Sequence, residues 1–96
     1  MKPVIFLRPA EAEMLDAAQY YEIQAPGLGV DFLARIEAAV QDIGRNPELW
    51  SIIQANTRRR LIKRFPFALL YRVDPDQIVI QATMHLHRRP DYWLNR

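Results

Sequence analysis

Apolar residues recur with two different periods along the chain, and the change of period separates helices from strands. The short apolar run Val4–Leu7 predicts a strand that is buried on both faces. Apolar residues then recur at helical spacing over residues 9–25 and again over residues 28–44. Because so few residues separate these two stretches, we expect them to form an antiparallel pair of helices.

The second half of the chain has the composition of strands. Phe67–Val73 and Ile78–Leu86 are rich in β-branched and aromatic residues, and the turn-forming segment Asp74–Gln77 lies between them. Together these segments predict a β-hairpin. Arg58–Ile62 predicts a further short strand, whereas residues 48–57 show no clear period and predict either a loop held on the core or one more helical turn.

The resulting order is β-α-α-β-β-β. It predicts an α+β fold with a largely antiparallel sheet and the N-terminal helical hairpin packed on one face. The other face of the sheet is expected to be partly open and to carry basic groups. Glu11 and Glu13 fall in the first turn of the first helix, where carboxylates complement its positive end. The length of 96 residues predicts one domain spanning residues 1–96.

Composition excludes several kinds of site. The chain has no cysteine, so a disulfide, a zinc–thiolate centre and a cysteine nucleophile are all excluded. This composition fits the reducing cytoplasm, which is where we expect the protein to be. No apolar run approaches the roughly 20 residues of a membrane span, so no membrane partner is expected.

Charge is divided unevenly between the two halves of the chain. Residues 1–50 hold four Lys/Arg and eight Asp/Glu, a net charge of −4, whereas residues 51–96 hold nine and three, a net charge of +6. The basic half coincides with the expected hairpin and its flanks. Charge alone fits two interpretations equally: a surface for an anionic partner, such as nucleic acid or an acidic protein segment, and a solvated strand face with scattered arginines.

Four short stretches and the tail form a pattern that is specific only when they are taken together. They are Tyr20-Tyr21-Glu22, Pro26-Gly27-Leu28-Gly29 before Phe32, Asn46-Pro47-Glu48, Arg60 with Arg64-Phe65-Pro66-Phe67 before Tyr71-Arg72-Val73, and His85 with Arg88-Arg89-Pro90 before Trp93. In this order and spacing the chain resembles the ParE/RelE family of toxins from bacterial type II toxin–antitoxin modules. It is most similar to the ParE-like, plasmid stabilisation branch.

The resemblance implies the same fold and a cognate ParD-like antitoxin that wraps the toxin, often with a helix in a groove of the toxin. It also implies one of two activities. ParE-type members poison DNA gyrase, and this is our main hypothesis. RelE-type members cut mRNA in the ribosomal A site, and a non-toxic relative that still binds an antitoxin is a further alternative. Both a homodimer and a toxin–antitoxin hetero-oligomer remain open as assemblies.

Cleavage of mRNA would need a group that activates the 2′-hydroxyl and a cation that stabilises the phosphate charge. The candidate catalytic residues are Arg60, His85, Arg88 and Tyr92. One departure favours the gyrase hypothesis, in which no residue is catalytic. RelE-type members place a catalytic arginine on the strand that reads Phe67–Tyr71 here, and this segment is apolar.

The residues expected to contact a partner are basic or aromatic. They are Tyr20, Arg58, Arg60, Lys63, Arg64, Arg88, Arg89 and Trp93. His85 and His87 share a strand face and have a spacing that can bind a metal ion, but Asp91 is the one nearby third ligand. We therefore predict no metal site and no cofactor.

Overall fold

A computed structural model describes residues 2–96 of the chain. Its elements are β1 (Val4–Phe6), α1 (Arg8–Gln24), α2 (Leu28–Arg45), β2 (Ile52–Gln54), β3 (Thr57–Leu61), β4 (Phe67–Val73) and β5 (Ile78–His85). The predicted helices and the predicted β-hairpin are confirmed. None of the helices in this part of the chain is long and apolar enough to cross a membrane.

The five strands form one sheet in the order β1-β5-β4-β3-β2. β1 runs parallel to β5, and the other three pairs of neighbours are antiparallel. The chain runs from β1 at one edge of the sheet through the helical hairpin to β2 at the opposite edge. The predicted α+β class and the largely antiparallel sheet are therefore confirmed.

The segment from residue 48 to residue 57 differs from the prediction of a loop or a helical turn. Ile52–Gln54 form a strand at the edge of the sheet, so the fold has one strand more than expected. The turn to β3 is made by Ala55 and Asn56, whose φ angles are 50° and 62°. Two successive residues with positive φ give the tight hairpin twist of a type I′ turn. No apolar period marked β2 because the strand has only three residues, too few to show alternation.

The two helices approach each other closely at Gly29. A Cβ atom on Gly29 would lie 2.3 Å from the carbonyl oxygen of Ala18, so glycine is required there. The Glu22 carboxylate accepts the backbone N–H groups of Gly27 at 2.8 Å and Gly29 at 3.0 Å. These donors, Gly27 first, lower the pKa of the Glu22 carboxyl. A side chain from α1 therefore caps the start of α2.

One face of the sheet packs against the helices and forms the main core. Phe32 of α2 is fully buried there against the rings of Tyr21, Phe65 and Phe67. Tyr71 of β4 is also buried, and its hydroxyl donates to the carbonyl of Pro47 at 2.6 Å. Burial raises the pKa of the Tyr71 hydroxyl to about 12.

The second face of the sheet is partly open, as predicted, because Arg59 and Leu61 of β3 are exposed on it. Over β4 and β5, however, this face is covered. Ala68, Leu70 and Met84 are buried on this face beneath the segment that follows β5. Trp93 of that segment is 1% exposed and belongs to the same apolar cluster. The domain therefore has three layers, which are the helices, the sheet and the C-terminal segment. The third layer was missed because this segment is mostly polar and its few apolar residues follow neither period.

A bulge in β5 changes which of its residues face the helices. The register shifts opposite Leu70 and Tyr71, which leaves Gln81 as the extra residue. Ile80 before the bulge and Thr83 after it both face the helical layer. Because β1 pairs with β5 only as far as Ile80, the outer edge of β5 beyond that point is left for other partners.

Candidate functional site

Glu13 and Arg96 close the edge of β5 that β1 leaves free. Glu13 accepts the backbone N–H of Thr83 at 3.1 Å and the hydroxyl of Tyr92 at 2.6 Å. Arg96 donates to both carboxylate oxygens of Glu13, at 2.7 and 3.1 Å, and to the Gln81 carbonyl at 3.2 Å. We call Glu13, Thr83, Tyr92 and Arg96 the C-terminal clasp. Its two-pronged ion pair is shielded, since each of the two charged side chains is only 18% exposed.

The ring of Tyr92 lies between two guanidinium groups. The Cζ atom of Arg88 is 4.2 Å from the ring centroid, and that of Arg96 is 4.8 Å from it, so both cations contact the π-system. Burial raises the pKa of the Tyr92 hydroxyl, and its hydrogen bond to Glu13 adds to this effect. The phenol therefore stays protonated at neutral pH, where it acts as a hydrogen-bond donor.

A cleft of about 260 Å³ opens beside the clasp. Its lining includes His85, Arg88 and Tyr92, so the structure brings together three of the four residues that sequence analysis assigned to a cleavage site. The carboxylates of Glu13 and Asp16 border the same cleft. The cleft thus combines an imidazole, a cation and two carboxylates.

The orientation of His85 is fixed by its neighbours. Its Nδ1 atom accepts the backbone N–H of His87 at 3.0 Å, and its ring packs edge-on against Phe67 at a centroid distance of 5.1 Å. The other ring nitrogen, Nε2, is the one left to face a ligand. Within residues 2–96, no group of three or more histidine or carboxylate side chains is placed to hold a metal ion.

Arg60, the fourth residue of the expected cleavage site, lies elsewhere. Its Nη2 atom is 2.7 Å from Asp42 Oδ2 on α2, and its guanidinium lies 5.2 Å from the ring centroid of Trp50. The Arg60 side chain is 12% exposed and does not line the cleft. Arg58, on the same face of β3, donates to the Trp50 carbonyl at 2.7 Å. Both arginines attach β3 to the segment that begins at the end of α2.

The exposed basic residues predicted to contact a partner lie at one end of the sheet. Lys63 and Arg64 belong to the turn between β3 and β4, and Arg88 and Arg89 follow β5. The backbone N–H of Leu86 donates to the Pro66 carbonyl at 2.9 Å, so the two segments are neighbours. We call Lys63, Arg64, Arg88 and Arg89 the basic end.

The two aromatic residues predicted to contact a partner have opposite environments. Trp93 is buried, and its indole Nε1 donates to the Pro90 carbonyl at 2.7 Å, so it is covered while the C-terminal segment stays in place. Tyr20 is 59% exposed on α1. Ile23 on α1 and Val30 on α2 are exposed apolar residues of the helical hairpin as well.

Comparison with known proteins gives the family. The family model described as the ParE toxin of a type II toxin–antitoxin system, parDE, matches residues 4–90. The chain belongs to the ParE toxin family. In this ParE family member, the clasp residues Tyr92 and Arg96 follow the matched region.

A solved structure of a ParE-related system has the same fold. A chain of the chromosomal ParDE TA system from P. aeruginosa is 18% identical, with a TM-score of 0.79. The match covers 91% of this chain and 98% of that one. At this identity it supports the fold of the ParE family member and no more. A search of curated protein sequences finds no match.

The roles of Glu13 and Arg96 in this ParE family member were not predicted from the sequence. The two residues are 83 positions apart, and no local pattern connects them. One signal was present, because Glu13 follows Ala10 by three positions and precedes Ala17 by four, and both alanines are buried. A carboxylate beside a buried helix stripe indicates a partner from another element.

Proposed function

We propose that this chain is the toxin of a type II toxin–antitoxin pair, that it inhibits DNA gyrase, and that a cognate ParD-like antitoxin neutralises it by direct binding in the cytoplasm. The family match over residues 4–90 supports the toxin assignment. The location of Arg60 is the observation that carries the choice of gyrase over mRNA as the target.

Cleavage of RNA needs a cation that is free to hold the phosphate as charge develops. Arg60 is paired with Asp42 outside the cleft, and Arg96 is paired with Glu13. Arg88 lies on the Tyr92 ring. Residues Phe67–Tyr71 of β4 are apolar, and Arg72, which follows them on that strand, is paired with Asp74. These contacts support a toxin that acts by binding its target.

An apolar surface on the helical hairpin supports a protein partner. Leu15, Tyr20 and Ile23 on α1 are each more than half exposed, as is Val30 on α2. Large exposed apolar side chains on neighbouring helices mark interaction sites when they are close together. We assign this surface to the antitoxin, in either a toxin–antitoxin hetero-oligomer or a complex built on a toxin homodimer.

The test is a gyrase cleavage assay with purified protein, gyrase, ATP and supercoiled plasmid. We expect linear DNA only when the toxin and gyrase are both present, and no linear DNA after the antitoxin is added. Failure to form linear DNA with a large excess of folded protein would contradict the gyrase assignment.

A second candidate is ribosome-dependent mRNA cleavage, and the meeting of His85, Arg88 and Tyr92 in one cleft favours it. A translating-ribosome assay with the wild type and the His85→Ala variant distinguishes the two. Cleaved mRNA with the wild type and intact mRNA with the folded variant would replace the gyrase proposal. A folded protein that binds its antitoxin and is inactive in both assays would be a non-toxic relative.

A further inference from the structure

A cavity of about 380 Å³ lies between α2 and the turn that joins β3 to β4. Leu28, Asp31, Arg35 and Ala38 line it from α2, at successive spacings of three, four and three residues. Residues at this spacing share one helix face, so the cavity follows α2 for about 15 Å. The turn contributes Arg64 and Phe65 on the opposite side. We call this space the α2 cavity.

The α2 cavity contains two cations that make no ion pair with any residue from 2 to 96. The ion pairs of residues 2–96 join Arg60 to Asp42, Arg72 to Asp74, Arg89 to Asp91 and Arg96 to Glu13, and Arg35 and Arg64 belong to none of them. Neither guanidinium has a hydrogen-bond partner in this part of the chain. Asp31 is the one carboxylate in the lining, so the cavity has a net charge of +1.

The backbone of Arg64 supports a role for its side chain. Its φ angle is 72°, in the left-handed region, where an L-residue with a Cβ atom is strained and glycine is not. The turn fixes this conformation through bonds from the Ile62 N–H to the Phe67 carbonyl at 2.9 Å and from the Phe67 N–H to the Phe65 carbonyl at 2.8 Å. An arginine at a position that favours glycine, with an unpaired guanidinium beside a cavity, indicates a function outside the fold.

The lining defines the class of ligand. Leu28, Ala38 and Phe65 give the cavity an apolar wall next to the two guanidinium groups. A carboxylate accepts paired N–H donors from arginine, and an apolar side chain beside it would fill the remaining wall. A nucleic-acid backbone would use the cations, but it would leave the apolar wall empty and bring its phosphates towards Asp31. The observations favour an acidic peptide.

We propose that the α2 cavity binds an acidic residue, together with a neighbouring apolar side chain, from a segment of the antitoxin. Arg35 and Arg64 hold the carboxylate, and Phe65 and the alanine side of α2 contact the apolar neighbour. This inference rests on the proposed function, because that function supplies the antitoxin as the source of the segment.

The probe is a phage-displayed library of short amphipathic peptides in which apolar positions are fixed and the polar positions between them are randomised. Selection on the wild type is expected to enrich Asp and Glu about tenfold over Asn and Gln at one randomised position, which corresponds to one charge-assisted contact. The same selection on the Arg35→Gln, Arg64→Gln double variant should lose this preference. The Arg45→Gln variant, which changes an exposed arginine on the same helix, should retain it.

A single substitution separates binding from folding. Arg64→Gly removes the guanidinium and places glycine in the left-handed conformation, so the variant should unfold at a temperature no lower than the wild type. A selected peptide should bind this variant about tenfold more weakly than it binds the wild type. The Glu→Gln form of the peptide should likewise bind the wild type about tenfold more weakly than the selected peptide does.

Three results would overturn the proposal. The first is equal enrichment of acids and amides on the wild type, and the second is an acid preference that persists in the double variant. The third is displacement of the peptide by a single-stranded RNA or DNA oligonucleotide whose binding depends on both arginines. The last result would assign the cavity to nucleic acid. None of these measurements uses gyrase, so a negative gyrase assay with intact acid selection would contradict only the target assignment.

Discussion

The two terminal guanidinium nitrogens of Arg96 donate hydrogen bonds to the two carboxylate oxygens of Glu13, 83 positions earlier in the chain. The pair connects the C-terminal segment to α1 across the free edge of β5. The same two side chains also bond the backbone groups of Thr83 and Gln81 at this edge. An edge with unpaired backbone groups is a site of aggregation, so the clasp protects the sheet as well as holding its third layer.

Glu13→Ala is expected to lower the free energy of unfolding by about 3 kcal/mol, because it leaves Arg96, the Tyr92 hydroxyl and the Thr83 N–H without their acceptor. Urea unfolding measures the change. The matched control is Asp91→Ala, which removes an ion pair with Arg89 whose two side chains are 59% and 80% exposed. The control should change stability by less than about 0.5 kcal/mol. Equal effects of the two substitutions would show that the clasp adds no stability.

The architecture could be predicted because periodicity reports which face of an element is buried. The 3.6-residue period of both helices and the apolar runs of β4 and β5 gave the correct element types and order. Ile52–Gln54 escaped detection because a three-residue edge strand is too short to show an alternating pattern. The bulge at Gln81 was also invisible, because it depends on pairing with β4 rather than on local sequence.

The candidate site was only partly predictable. His85, Arg88 and Tyr92 are close in sequence, and the end of one strand brings them into one cleft. Arg60 was grouped with them by residue type, but the pleat of β3 directs it towards Asp42 on α2. Glu13 was expected to complement its own helix end, and its actual partner comes from a distant segment. Pairing between distant charges is set by tertiary structure and leaves no trace in spacing.

Stability should fall at alkaline pH because the buried Tyr71 and the half-buried Tyr92 have raised pKa values. Burial raises the pKa of Tyr71 to about 12 and also raises that of Tyr92, whereas an unfolded tyrosine titrates near 10. A raised pKa contributes stability that is complete below pH 10 and is lost as the pH rises from there through the folded-state value. Unfolding in urea across this range measures the decline, and Tyr92→Phe should make it shallower. An unchanged slope in that variant would contradict the assignment.

Acid should weaken the connection between the helices through Glu22. The Gly27 and Gly29 N–H groups lower the pKa of this carboxyl below its ordinary value of 4.5. A lowered pKa contributes stability that is present above the ordinary value and is lost as the pH falls through the folded-state value. Glu22→Gln should therefore remove part of the stability change below about pH 4.5. Thermal unfolding of both proteins across this range tests it, and parallel curves would assign the acid sensitivity to other carboxylates.

Gly29→Ala tests the close approach of the helices. Alanine favours a helix by about 1 kcal/mol over glycine, so propensity alone predicts a more stable protein. The new Cβ would lie 2.3 Å from the Ala18 carbonyl, which must move, and we expect a net loss of about 1–2 kcal/mol. Glu37→Ala, at an exposed position of the same helix, should stay within about 0.5 kcal/mol. A stabilised Gly29→Ala variant would mean that the helices separate at little cost.

Charge reversal at Arg60 is expected to lower the free energy of unfolding and to leave the toxicity of the folded protein unchanged. Glu at this position would face Asp42 and lose the contact with Trp50, so we expect a loss of about 2 kcal/mol, less than for a fully buried pair since Asp42 is 41% exposed. Lys63→Glu reverses an exposed charge three positions away and should change stability by less than about 0.5 kcal/mol. Urea unfolding of both variants, followed by growth arrest at equal levels of folded protein, separates the two effects. An Arg60→Glu variant with wild-type stability and no toxicity would place Arg60 in the target-binding surface after all.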